Sequence, residues 1–458
     1  MIELTFEEIA RITGGTLVHL ESSESTTASP IIDSRKADAG TFFVALPGER
    51  FDGNDFAQSA VNSGAEFAIT TRFLDIPSIV VDDALSAVTA LAQYVREEIT
   101  DTVFIGLTGS QGKTTTKDIL RTVLSSAGTT VAPIGSYNNE IGVPVTLLRC
   151  DESTKYCIVE MGARHLGDIG KLTEVAQPQV GAVLRVGTAH LGEFGSREGI
   201  AKTKGELIRG LKPGATAVLG TYDEFTPQMA AGLPIATVTF GESQGCDVRA
   251  ADIEIRGGHP HFDLVTPEGR ETVELNLLGA HQVANALAAA AIAYVLGLNT
   301  QQIASALSSH QQSSKWRMEI HEGGGQVLIN DSYNANPESM EAALRTLVLL
   351  SQERGGRSWA FLGTMHELGN ESPELHRKVS EIAIALGVDH VVAIGNDDYV
   401  KEISPNQTVF HFVSTMMGAE DFIKELTAGD CILVKASRAE HLELLAQSIM
   451  NSWNREEI

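Results

Sequence analysis

The sequence predicts an α/β protein of three domains: a small N-terminal α/β domain, a central P-loop doubly wound domain with a small antiparallel annex, and a C-terminal Rossmann-like doubly wound domain. Three observations carry that expectation. At 458 residues the chain exceeds one ordinary core. Buried-type strands alternate with helical patterns in two separate stretches, which implies mostly parallel sheets covered on both faces. Between an apolar run at 103–107 and a helical pattern stands Thr108-Gly109-Ser110-Gln111-Gly112-Lys113-Thr114-Thr115, the composition of a phosphate cradle.

Residues 1–85 hold short apolar runs at 41–46 and 67–70, separated by turns containing Gly, Pro and Asp, and read as the first domain. Residues 86–315 contain the apolar strands 103–107, 156–160, 182–186 and 215–219. Polar/apolar alternation then appears in Asp252-Ile253-Glu254-Ile255 and Thr272-Val273-Glu274-Leu275, which predicts the annex, followed by an Ala-rich helix over 281–296. Residues 316–458 repeat the strand–helix rhythm with strands at 327–330, 359–362, 391–394 and 431–434. Doubly wound sheets bind ligands beyond the carboxyl ends of their strands, so the site is expected in a cleft between domains.

A formal net charge of −25 excludes broad nucleic-acid binding, which needs clustered Lys and Arg, but leaves phosphorylated small molecules open. Four cysteines without Cys-x-x-Cys spacing make no disulfide framework. The acidic N-terminus has no apolar core of a signal peptide, and no run approaches the ~20 apolar residues needed to span a bilayer. A cytoplasmic protein without membrane insertion is expected.

In the cradle, glycines let backbone N–H groups approach an anion, Lys113 reaches the outer phosphates, and the Thr114 hydroxyl can ligate Mg²⁺. The usual spacing would place a glycine at 107, where this chain has Leu107. Glu160 ends an apolar strand where such proteins keep a carboxylate for the metal, and His190 follows another strand of the same sheet. On the helix 197–211, about 100° per residue puts Lys204 on the face of Ile200, Leu207 and Ile208, with Lys202 nearly opposite. An inward lysine must be paired, neutral or chemically altered. His281 and Asn285, at i and i+4, present two planar hydrogen-bonding groups suited to a base edge. Asp331 ends an apolar strand, and Pro337 suits the first turn of the next helix.

The combination Thr-Gly-x-x-Gly-Lys-Thr-Thr, Glu160 in Val-Glu-Met-Gly-Ala, His190 in Ala-His-Leu, Lys204, Asn285, Arg317 and Asp331 resembles the Mur ligases, ATP-dependent amide-bond-forming enzymes of bacterial cell-wall synthesis. The resemblance covers almost the whole chain. Asp331-Ser332-Tyr333-Asn334-Ala335-Asn336-Pro337, Asn138-Asn139-Glu140-Ile141-Gly142-Val143-Pro144 and Glu367-Leu368-Gly369 resemble the branch that adds D-alanyl-D-alanine, and the Asp-Asn-Pro-Arg motif of diaminopimelate-adding relatives is absent.

The resemblance implies ligation of D-alanyl-D-alanine to UDP-N-acetylmuramoyl-tripeptide through an acyl phosphate, by a monomer. It implies that Ser34, Arg35 and the segment 43–56 with Asn54 hold UDP, and that Asn138, Asn139, Asn334 and Asn336 contact substrate. ATP would lie on residues 109–115 with His281, Asn285, Arg317 and Asp331. Two Mg²⁺ ions would be held by Thr114, Glu160, His190 and a carbamylated Lys204. Arg164 stands where the family commonly has Asn, and no role is assigned to it or to Lys435-Ala436-Ser437-Arg438 beyond a possible anion site. The alternatives are another amide ligase of the family, adding diaminopimelate, lysine or glutamate, or a folylpolyglutamate synthase. In a different class stands a P-loop nucleotide switch without ligation, which needs no inward lysine.

Overall fold

The computed structural model describes residues 1–48, 51–189, 191–404 and 407–453. In the N-terminal part a five-stranded sheet runs in the order Thr16–Val18, Ser78–Val80, Ala68–Thr70, Thr41–Val44, Ser29–Ile31, and all but its first strand are parallel. Phe42 and Phe67 stack at 4.8 Å in its core. The helix Ala84–Glu98 is capped by Asp83 and packs on both the N-terminal helix Phe6–Thr13 and the central helices Gly142–Leu147 and Asp168–Ala176. The domain boundary read at residue 85 therefore falls in that helix's first turn.

The central sheet has nine strands, in the order Gly269–Glu274, His259–Thr266, Val248–Arg256, Ala236–Gly241, Thr216–Gly220, Val180–Val183, Val103–Thr108, Tyr156–Glu160, Thr130–Val131. The first three form the antiparallel annex and the rest are parallel. The strand expected at 182–186 spans Val180–Val183 instead. Beyond Val183 the chain peels away to back the cradle, with Leu184 N–H donating to Thr108 at 2.9 Å and Ser110 N–H to the Arg185 carbonyl at 3.0 Å. Ala236–Gly241 is a further strand, which the sequence does not announce because its first residues are exposed and lack an apolar run.

The Ala-rich helix spans Gln282–Val295 and lies against the cradle helix Lys113–Ser125. Ala286, Ala288, Ala289, Ala290, Ala291 and Ala293 are all fully buried, small side chains that let a helix pack closely on two sides.

The third sheet orders Glu319–Gly323, Gln326–Asp331, Cys431–Lys435, Ser358–Leu362, His390–Ile394, Val409–Val413, with its first strand antiparallel. Helices Pro337–Arg354 and Ser372–Leu386 cover one face and Glu443–Trp453 the other. Asn336 and Ser339 form a capping box at the first of these, with Pro337 just inside it as the sequence predicts. The four cysteines are free and buried. Among the described residues no helix is long and apolar enough to cross a membrane.

Candidate active site

One cavity of about 900 Å³ is lined from all three parts of the chain. Ile32 comes from the first sheet's region, the cradle from the central domain, and Arg317, Asp331, Tyr333 and Asn336 from the third. The cradle turns into its helix at Gly112, whose φ of 78° favours glycine. Packing demands glycine there as well: a Cβ would stand 2.1 Å from Asn285 Oδ1. Leu107 fits because it lies inside the strand, fully buried, so the turn begins only at Gly109.

Lys113 Nζ donates to the Gly109 carbonyl at 2.8 Å, across the loop that would receive phosphate. Burial holds this ammonium below the ordinary lysine range; Arg317 pushes the same way and Glu160 opposes. Glu160, 1% exposed, pairs in register with Leu107 and ends its strand beside the cradle. Its Oε1 accepts from Asn138 Nδ2 at 2.9 Å and Thr114 Oγ1 at 3.3 Å, while its buried Oε2 has no partner among the described residues. Hard oxygen donors with one carboxylate oxygen left over fit Mg²⁺, which takes one or two carboxylates and keeps several waters. Among the described residues no group of three or more His, Cys, Asp or Glu side chains is gathered for a metal. His190 lies outside the described residues.

Lys204 sits on the helix Arg197–Arg209, 4% exposed, whereas Lys202 is exposed, as the helical period requires. It does not line the cavity itself. Burial and then the charge of Lys113 hold its amine well below the lysine range. Among the described residues nothing hydrogen-bonds or ion-pairs with it.

Asn285 Oδ1 accepts from Thr116 Oγ1 at 3.4 Å and its Nδ2 donates to Gln282 at 2.8 Å. His281 occupies the N-cap, and burial drives its pKa down to about 4, with Lys435 and Arg185 adding to that and Asp331 resisting. A neutral imidazole therefore faces the cavity. Arg185, Tyr222 and Phe240, which the sequence reading did not single out, line the same end. Arg185 Nε is buried without a hydrogen-bond partner among the described residues, and burial, with Glu242 nearby, raises the Tyr222 pKa. Each follows closely on a parallel strand of the central sheet, and that position was the signal available to find them.

The third domain reaches the cradle through specific bonds. Gln111 Nε2 donates to Asn336 Oδ1 and Glu338 Oε2, both at 3.0 Å. Glu338 Oε1 accepts from Thr188 N–H at 2.8 Å and Thr188 Oγ1 at 2.9 Å. Tyr333 hydrogen-bonds Ser136, and the Arg317 guanidinium lies 4.0 Å from the Tyr333 ring centroid. Asp331 Oδ2 takes Lys435 Nζ at 2.5 Å and its Oδ1 takes Met318 N–H at 3.1 Å, a buried pair across adjacent strands. Lys435 is thereby committed, and Arg438 is held by Glu443 at 2.8 Å and over Trp316, so the 435–438 segment presents no open anion site.

The linker into this domain is tied to the cradle helix: Thr122 bonds His310 at 2.7 Å, and Ser314 bonds Asp118. Trp316 and Met318, on either side of Arg317, are both left-handed, with φ of 60° and 55°.

Other expected positions lie elsewhere or are engaged structurally. Arg35 is 86% exposed and bound to its neighbour Asp33, and neither it nor Ser34 nor Asn54 lines the cavity. Asn54 is buried, holding Asp52 at 2.7 Å and Thr71 at 2.9 Å. Asn139 Oδ1 caps Gly142 N–H at 3.0 Å, and Asn138 reaches Glu160. Asn334 and Thr115 line the cavity.

Residues 107–293 match the Mur ligase middle domain, 316–438 the Mur ligase glutamate ligase domain, and 31–102 the Mur ligase family catalytic domain. The chain is 37% identical to the UDP-N-acetylmuramoyl-tripeptide--D-alanyl-D-alanine ligase of Mycobacterium tuberculosis, over 98% of each chain. The chain belongs to the Mur ligase family.

The Escherichia coli relative with the same name is 34% identical over 99% of each chain. Among solved structures, MurF from Acinetobacter baumannii superposes with a TM-score of 0.87 at 34% identity, covering 98% of this chain and 99% of that one. The MurF ligase of Thermotoga maritima, solved in complex with ADP, has a TM-score of 0.79 at 28% identity, covering 94% and 99%. The three-domain α/β Mur ligase architecture is therefore the fold of this chain, and its family uses ATP.

Proposed function

We propose that this chain is an ATP-dependent ligase that joins D-alanyl-D-alanine to UDP-N-acetylmuramoyl-tripeptide, giving the pentapeptide precursor, ADP and phosphate. The observation that carries this reading is a cavity in which the cradle, the Glu160 carboxylate and the third-domain residues Arg317 and Asn336 converge. A monomer in the cytoplasm is the acting unit on this reading. The division 1–85, 86–315 and 316–458 assigns UDP, ATP and dipeptide to successive domains.

The nucleotide's base would lie against Tyr222 and Phe240, with neutral His281, Asn285, Arg185 Nε and Tyr222 Oη to read it. Backbone N–H groups of 109–115 and the Lys113 ammonium hold the outer phosphates, and Arg317 adds charge from the other side. Thr114 and Glu160 would hold Mg²⁺, with His190 and a carbamylated Lys204 completing two sites; the metal supplies further neutralisation of phosphate charge. Lys204 suits carbamylation because its depressed pKa favours the neutral amine: nitrogen bonds CO₂, a proton leaves, and a buried neutral amine becomes an anion.

With those charges offset, a carboxylate oxygen of the tripeptide attacks the γ-phosphorus and ADP departs, leaving an acyl phosphate. The amine of D-alanyl-D-alanine attacks the acyl carbon, loses a proton, and phosphate leaves. The Gln111–Glu338 and Thr188–Glu338 bonds hold the third domain over the cradle and exclude water meanwhile. The deciding experiment is phosphate release from ATP with UDP-N-acetylmuramoyl-tripeptide and, separately, D-alanyl-D-alanine, D-glutamate or diaminopimelate. Turnover with the dipeptide alone is expected, and turnover with none would favour a nucleotide switch.

A further inference from the structure

Lys117 and Asp118 are consecutive residues of the cradle helix Lys113–Ser125, and both are buried, 3% and 5% exposed. An ammonium has three donors, and this one reaches three oxygens. It donates to the carbonyls of Pro133 at 3.3 Å and Gly135 at 3.0 Å and pairs with Asp118 Oδ1 at 2.6 Å. Asp118 Oδ2 accepts from Ser314 Oγ, in the linker to the third domain. Neither residue lines the cavity.

A helix that had only to pack could carry apolar side chains at both positions, as it does at Ile119, Leu120, Val123 and Leu124. Desolvating two charges costs about what their attraction returns, and replacing a buried ion pair by apolar residues is often neutral or stabilising. What this pair adds is position. The segment it grips leads directly into the loop that works in the site. Ser136 bonds Tyr333 of the third domain, and Asn138 donates to Glu160 Oε1 at 2.9 Å while its carbonyl accepts Gly162 N–H at 2.7 Å. Gly135 is left-handed, with φ of 60°, and no atom stands within 4 Å of its Cβ position, so the bond from Lys117 fixes this turn where packing does not.

We propose that Lys117 is a positioning residue for the Glu160 carboxylate: through Pro133 and Gly135 it sets the loop whose Asn138 orients Glu160, and through Asp118 it ties that loop to the linker at Ser314. The inference rests on the reading above in which Glu160 holds Mg²⁺. Two lysines one helical turn apart then have separate tasks, Lys113 facing the phosphates and Lys117 aligning the metal's carboxylate from behind.

The test is calorimetric titration of ADP, across a range of Mg²⁺ concentrations, into the wild-type chain, Lys117→Met, Asn138→Ala and the double variant, with Tm and the kcat of ligation for each. Lys117→Met is expected to raise the Mg²⁺ concentration for half-maximal effect about tenfold, with metal-free ADP affinity held within about twofold and Tm within a few degrees. Because both residues act through one bond to Glu160, the double variant should lose no more than about twofold beyond the larger single loss. Losses that multiply, or an unchanged Mg²⁺ requirement in Lys117→Met, would overturn the proposal. So would a fall of Tm and metal-free ADP affinity in step, which marks a structural lysine. Lys117→Gln, which keeps a donor for one carbonyl, is read the same way should Lys117→Met not fold. Mg²⁺-assisted ADP binding without ligation in the wild type would count against the proposed reaction and not against this role, whereas wild-type ADP binding indifferent to Mg²⁺ would overturn the role itself.

Discussion

Asn285 Oδ1 occupies the space into which a side chain at position 112 would project, 2.1 Å from where its Cβ would stand. Two elements 173 positions apart in the chain thus fix the same turn, because the Ala-rich helix can approach the cradle helix only if the cradle has no Cβ there. Gly112→Ala meets both this clash and a left-handed backbone, together about 2 kcal/mol or more. ATP affinity should fall at least thirtyfold, roughly, with circular dichroism unchanged. Retained affinity in a nucleotide-binding titration would refute the packing argument.

Glu160→Gln keeps an oxygen for Asn138 and Thr114 and removes the charge behind the unpartnered Oε2. The Mg²⁺ concentration for half-maximal activity should rise about tenfold or more, while metal-free nucleotide binding stays unchanged. A magnesium titration of phosphate release checks it.

Lys113→Ala and Lys204→Ala should each abolish ligation with the fold retained, and short carboxylic acids should partly restore only the second. Lys204 as a free amine is buried without a partner among the described residues, so Lys204→Met should match or exceed the wild-type Tm in CO₂-free buffer. Full activity in either Lys204 variant would remove this residue from the site.

His281 has a folded pKa pushed from 6.5 down to about 4. The unfolded chain therefore takes up a proton that the native chain refuses as pH drops through that window, and stability falls with it. Urea midpoints measured between pH 4 and 7 should show a shallower decline for His281→Gln than for wild type. Parallel curves would mean the imidazole is protonated in the native state.

Glu338→Ala removes the bonds to Gln111 and Thr188 that hold the third domain down. The KM for ATP should rise about tenfold, and small-angle scattering should give a larger radius of gyration for the nucleotide-free variant. An unchanged radius with an unchanged KM would show that closure does not depend on this carboxylate.

The parts of the site legible in the sequence were those governed by local rules. Glu160 could be placed because a parallel strand aims its last residue at the ligand edge, and Lys204 because a helix repeats every 3.6 residues. Asparagines were harder, since one residue type serves caps, turns and ligands alike: Asn139 and Asn336 cap helices, Asn54 holds a turn, and Asn285 packs on a glycine. Arg185, Tyr222 and Glu338 were invisible for another reason. Their roles depend on which strands are neighbours and on where the third domain docks, and both are settled by tertiary packing. The late placement of the strand Val180–Val183 has the same origin, because its end is set by bonds to Thr108 and Ser110 and not by its own apolar run.

The anchoring of the linker at His310 and Ser314 makes the phosphate-binding helix the fulcrum of the molecule. A swing of the third domain about this anchor would turn within the few residues between Ser314 and Met318, and Arg317 would ride on that pivot. Its arc would be short, while Asn334 and Glu338, farther along the lever, would sweep more widely. Arg317 would thus stay near the cradle in a motion that parts Glu338 from Gln111 and Thr188.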